Sequence, residues 1–148
     1  MDSVKKLYTE EMRDSLGIAL RVVIVSLAFA TAYIHLTLGS LLFLANAAGY
    51  AVLAIGMIVP IGFVARNRWL VRAALFGFTT VTIVGWALIG PRFMLAYVDK
   101  GIEIALISLL VVEMFRYDGG PVAVVRRGID LLVTIARAPF AGRTGSEA

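Results

Sequence analysis

The chain has 148 residues, 60% of them hydrophobic and 16% charged, with a mean hydropathy of +0.90. A soluble domain is usually about half apolar and a quarter charged, so this is the composition of a membrane protein. Cysteine is absent and His35 is the single histidine, which excludes disulfides, iron–sulfur clusters, thiolate zinc sites, CxxC relays and bis-histidine haem within one chain.

The net charge of +4 does not point to nucleic acid. Lysines and arginines stand at the ends of apolar segments, where positive charge sets topology and meets anionic lipid. No cofactor and no metal are expected. The partners expected are the lipid bilayer and either a membrane-protein partner or further copies of this chain.

Residues 1–15 read as an N-terminal amphipathic segment. Asp2 or Ser3 can cap it, and Val4, Leu7, Tyr8 and Met12 recur at helical spacing. Residues 1–14 are polar and of mixed charge, without the short apolar region of a cleavable signal. A membrane domain is expected over 16–116, with spans near 16–34, 46–63, 70–89 and 93–115.

Arg21, one turn inside span one, is expected to snorkel to the interface. No Asp, Glu, Lys or Arg occurs from Val22 to Val64, a run too long for one span and about right for two. The reversal belongs near its middle, with a short interfacial segment at 37–44. Span two carries Gly49 and Gly56, seven apart on one face, which suits close helix packing. Pro60 lies near its end.

A basic loop follows at 64–72, with Arg66, Arg68, Arg72 and the interface anchor Trp69. Span three contributes Gly77 and Gly85 as further packing positions. Gly90-Pro91-Arg92 is a tight turn into span four. After Gly119-Gly120, residues 121–138 read as an amphipathic helix whose polar stripe is Arg126, Asp130, Thr134 and Arg137. Too short of apolar residues to cross, it should lie in the interface plane, with Pro139 stopping it and 139–148 a flexible tail.

Twelve basic residues fall on one side of this arrangement: Lys5, Lys6, Arg13, Arg21, Arg66, Arg68, Arg72, Arg116, Arg126, Arg127, Arg137 and Arg143. Only Arg92 and Lys100 fall on the other. Both termini are therefore expected in the cytoplasm of a plasma-membrane protein. Tyr33, Tyr50, Trp86, Phe93 and Tyr97 form the outer aromatic set, and Tyr8, Phe63, Trp69, Phe115 and Tyr117 the inner one.

Span four is the unusual segment, because it carries Asp99, Lys100, Glu103 and Glu113. Asp99 and Glu103 are four apart and share a helix face, and Lys100 can pair with Glu103 along it. At about 1.5 Å per residue from Phe93, Asp99 is roughly 9 Å down the helix and Glu103 roughly 15 Å. Charged groups at such depth need a partner or a wet pocket. The expected partners are Thr, Tyr or Asn side chains, with His35 and Asn46 the named candidates. Glu113 can meet Arg116 or Arg21.

The fold expected is thus all-α: an integral membrane four-helix bundle with amphipathic interfacial helices at both ends. No GxSxG, HExxH, Walker glycine loop or paired histidine is present, so an enzyme is not expected and no catalytic residue is assigned. The leading functional reading is a structural or accessory subunit packing through Gly/Ala faces. The alternatives are a small proton- or ion-coupled transporter or channel using Asp99, Lys100 and Glu103, and an interfacial lipid-acting enzyme or sensor.

Overall fold

The computed structural model describes the backbone of residues 14–141 and the side chains of residues 14–137. The amphipathic segment expected at 1–15 falls outside the described residues except for its last two, and so does the tail from 142 onward. Six helices are formed among the described residues, with no strand: α1 (Ser15–Thr37), α2 (Leu41–Ile58), α3 (Gly62–Arg66), α4 (Arg68–Ile89), α5 (Met94–Tyr117) and α6 (Pro121–Ala141).

The breaks between helices have local causes. Gly39 turns the chain at φ +71, a conformation that costs a residue with a Cβ. The Ser40 side chain then accepts the Phe43 amide and caps α2. This places the α1–α2 turn in three residues and starts the second long helix at Leu41, five residues before the expected position. No interfacial segment separates the two helices.

Helix α2 also ends earlier than expected, at Ile58. Val59 is extended because it precedes Pro60, whose ring disfavours helical backbone in the residue before it. Gly90 before Pro91 is extended for the same reason and ends α4. The basic stretch expected as a loop is instead the short helix α3 and the first turns of α4, since Val64 to Arg72 contains no helix breaker stronger than Asn67.

Helix α1 packs against α2 and α5, and α4 packs against the same two, so α1, α2, α4 and α5 close into a ring of four. Ile24, Ala28, Ala32, Tyr50, Ala54, Met57, Leu75, Leu106 and Leu110 fill its interior. The expected packing face of α2 meets α4. A Cβ at Gly49 would lie 2.6 Å from the tip of the Phe78 ring, and one at Gly56 would lie 3.1 Å from Val71. Gly77 and Gly85 differ from expectation: nothing described lies within 4 Å of a Cβ at either, so neither seats a helix of this chain.

Among the described residues, three helices, α1, α2 and α4, are long and apolar enough to cross a membrane, not the expected four. Helix α5 has the length, at 24 residues, but its Asp99, Lys100, Glu103, Glu113 and Arg116 set it apart in composition. The distribution of polarity is inverted relative to a soluble protein. Leu41 and Ile89 are 83% and 91% exposed, whereas Arg21, Arg72, Asp99, Lys100, Glu103, Glu113 and Asp118 are all buried.

Helix α6 packs by Val124 against the ends of α4 and α5 and leaves Val122, Val125, Ile129, Leu132 and Ile135 exposed. Its backbone runs through Pro139 to Ala141 rather than stopping there. Proline's φ is already helical, and in a last turn little is lost with its N–H.

Candidate functional site

The buried residues of α5 are Ala96, Asp99, Lys100, Glu103, Leu106, Leu110, Glu113 and Met114. Steps of three, four and one keep them on a single helix face, polar at both ends and apolar between. Two charge clusters result, each made by α5 with other helices and called outer and inner after the sides expected from the basic residues.

The outer cluster holds Asp99, Lys100 and Glu103. One Asp99 oxygen accepts the Thr31 hydroxyl of α1 and lies 3.6 Å from His35 Nδ1. The other lies 3.0 Å from Lys100 Nζ, and the same ammonium donates to Glu103 Oε2. Glu103 Oε1 accepts the Tyr50 hydroxyl of α2 at 2.8 Å, with the Thr82 hydroxyl of α4 at 3.0 Å. Thr82 has one proton to share among Glu103, Tyr50 and the Thr79 carbonyl, all within reach. Four helices therefore meet on two carboxylates that are 3% and 0% exposed.

His35 Nδ1 is 2.9 Å from the Thr31 carbonyl oxygen. A carbonyl can only accept, so Nδ1 carries a proton. Nε2 has no hydrogen bond among the described residues, and the ring leans on Phe43 and Tyr50. His35, Asp99 and Glu103 could offer three ligand atoms within 4.8 Å of one another to a metal ion. The Lys100 ammonium, however, already supplies the positive charge between the two carboxylates, and a metal would have to displace it.

The inner cluster lies at the other end of the bundle. Arg21 of α1 and Arg72 of α4 both reach Glu113 Oε1, at 3.3 and 3.4 Å. Arg72 also grips Asp118 through two nitrogens, at 2.7 and 2.8 Å, in the forked geometry that suits a carboxylate. Arg21 thus lies inside the bundle rather than snorkelling outward. Arg68 is buried one turn before Arg72. Arg116 turns away from Glu113 and holds Asp14 just ahead of α1, at 2.9 Å from its Nε. That guanidinium keeps the Asp14 carboxyl below its ordinary value of 3.8.

Between the clusters lies the apolar layer of Ile24, Ala28, Ala54, Met57, Leu75, Leu106 and Leu110, with Thr79 bonded back to its own helix. Glu103 and Glu113 are ten residues apart, or about 15 Å along α5.

A pocket of about 310 Å³ opens beside the outer cluster. Phe43, Trp86 and Phe93 form much of its wall, and His35, Asn46, Asp99 and Lys100 supply its polar lining. Arg92 lies over the Trp86 ring at 4.3 Å, and Trp86 donates to the Pro91 carbonyl at 2.8 Å.

The structure thus brings Asp99, Lys100, Glu103 and His35 together and leaves Asn46 on the pocket wall, without a hydrogen bond to the cluster. Tyr50, expected among the outer interfacial aromatics, is instead fully buried and holds Glu103. Thr31, Thr82, Arg72 and Asp118 were not picked out as cluster members. For Thr31 a signal existed, since it stands one turn before His35 on the same face. For Arg72 and Asp118 none did, because their meeting is set by how α4 and α5 pack. Set against protein-family models, curated proteins and solved structures, the chain matches none of them.

Proposed function

We propose that this is a multi-span membrane protein of the structural or accessory class, in which α1, α2, α4 and α5 cross the bilayer with both termini cytoplasmic. Helix α5 crosses because its charged groups are paired or hydrogen-bonded inside the bundle rather than turned to lipid. The inverted polarity supports this: apolar side chains face outward along all four helices, and the charged ones face one another. Lipid tails are as apolar as leucine, so hydrophobic burial gives little drive for helix association there. Cross-helix ion pairs and close packing at Gly49 and Gly56 then do the holding.

The observation that carries the reading is the pairing in both clusters. Each buried carboxylate of α5 is met by groups from other helices, and an apolar layer separates the two sets. A proton or ion path needs polar groups or water along its length, and the buried Thr79 hydroxyl in this layer is committed to the Leu75 carbonyl of its own helix. The flanking helix α6 and the exposed apolar faces suit association with another membrane protein or a second copy.

The test is purification in mild non-ionic detergent with mass determination, together with reconstitution into liposomes. A stable stoichiometric assembly with no proton flux is expected. Proton-coupled flux that disappears in Glu103→Gln, with thermal stability retained, would establish the transporter reading in its place.

A further inference from the structure

We infer that the outer pocket is a binding site for a small organic monocation, an ammonium carried on an apolar or aromatic body. This goes beyond the structural role above and does not depend on it.

The charge count comes first. The outer cluster sets two carboxylates, Asp99 and Glu103, against one ammonium, Lys100. Thr31, Tyr50 and Thr82 donate hydrogen bonds without adding a charge, and His35 Nδ1 lies 3.6 Å from Asp99. With His35 as a neutral imidazole the cluster carries one negative charge in surplus, which is costly when buried and favours the arrival of a positive one. An anion would meet the opposite situation, since it would compete with two built-in carboxylates for Lys100.

The open hydrogen-bonding groups agree with the count. His35 is 3% exposed, lines the pocket, and has its Nδ1 proton committed toward the Thr31 carbonyl, so in the neutral ring Nε2 is the atom left to accept. The Asn46 side chain also lines the pocket and makes no hydrogen bond among the described residues, and its carbonyl is a second acceptor. A primary ammonium brings donors only, which is what two acceptors and a carboxylate require.

The walls select the rest of the ligand. Phe43, Trp86 and Phe93 line the pocket, and aromatic rings attract cations more strongly where water is excluded. The Trp86 ring already carries a cation in this way, with the Arg92 guanidinium 4.3 Å from its centroid. A volume near 310 Å³ corresponds to about ten waters, hence a ligand of about ten non-hydrogen atoms.

The probe is 2-phenylethylammonium, read by Trp86 fluorescence in a Trp69→Phe background, where Trp86 is the sole tryptophan. The full chain is used in non-ionic detergent, with 2-phenylethanol and phenylacetate as the neutral and anionic counterparts. Saturable binding of the amine is expected, at least about tenfold tighter than either counterpart. Asp99→Asn should lose at least about tenfold for the amine and leave the alcohol unchanged. Gly85→Leu fills the pocket from a position with nothing within 4 Å of its Cβ, so it should fold and abolish saturable binding. Equal affinity for amine and alcohol would reduce the site to an apolar hollow and overturn the inference. So would tighter binding of phenylacetate, or binding of the amine unchanged in Gly85→Leu.

Discussion

Lys100→Met is the sharpest test of whether the outer cluster holds the bundle together. The ammonium is the one positive group between Asp99 and Glu103, 3.0 Å from the first and hydrogen-bonded to the second, in a site 6% exposed. Methionine keeps most of the stem's volume, so the change removes charge more than packing. Both carboxylates keep their hydroxyl donors, Thr31 for Asp99 and Tyr50 for Glu103. What remains is two negative groups facing one another without a cation between them. Breaking a buried pair in this way costs about 3–5 kcal/mol.

The double variant Lys100→Met with Glu103→Leu should recover part of that loss. It removes one of the two carboxylates, Tyr50 and Thr82 still have each other at 2.8 Å, and Asp99 keeps Thr31. Glu103→Gln should cost less than Lys100→Met, because it keeps shape and an oxygen for Tyr50, and Lys100 retains Asp99. Reversible unfolding in mixed detergent micelles, followed by far-UV circular dichroism, gives the free energies. The sign of the coupling between Lys100 and Glu103 decides the matter. If all three variants lie within about 0.5 kcal/mol of the parent, the cluster is no tie and the buried placement of Asp99, Lys100 and Glu103 is wrong.

Four further outcomes are expected. Gly49→Ala should force the Phe78 ring off its edge-on contact with Tyr50 and cost about 1–3 kcal/mol, whereas Gly77→Ala should be neutral or slightly stabilising in the same unfolding assay. Reporter fusions after Gly39 and after Pro91 should lie outside and those after Asn67 and Ala148 inside, and a cytoplasmic signal after Gly39 would overturn the topology. A peptide of residues 121–138 should become helical on anionic vesicles and not in buffer, more weakly at high salt, given its exposed Val122, Val125, Ile129 and Leu132 beside Arg126, Arg127 and Arg137. Because Arg116 holds the folded-state value of Asp14 below 3.8, the Asp14–Arg116 tie adds stability above that pH and loses it as the pH falls through the lowered value; Asp14→Asn should remove this small acid step from a titration of thermal midpoint against pH.

What could be read from the sequence, and what could not, divides by the range of the interaction. Helical periodicity and apolar length are local, and they gave the long helices and the amphipathic α6. Turn positions are local too, but they depend on single residues. Gly39 with the Ser40 cap, and Pro60 acting on Val59, moved both ends of α2 by five residues from where hydropathy alone had put them. Charge spacing along α5 was also legible: Asp99, Lys100 and Glu103 had to share a face. Across-helix partners were a different matter. Tyr50 reads as an interfacial anchor by the same rule that fits Tyr33, which is indeed exposed, and only the packing of α2 against its neighbours turns Tyr50 inward to Glu103.

Arg72 shows the same limit from the other side. Between α2 and α4, three arginines invite a single reading as a topology signal. Arg72 lies one turn inside α4 and spends its charge on Asp118 and Glu113 instead. The glycines after Asp118, at φ +81 and +101, redirect the chain just beyond that carboxylate, and Gly120 has no room for a Cβ because the Phe115 ring would be 2.7 Å away. The break at Gly119-Gly120 therefore follows directly on one pole of the inner cluster. A residue count of positive charge bears on orientation because every arginine contributes to it. It cannot tell which of those arginines also tie helices together, since that depends on a carboxylate far away in sequence being carried to the same depth.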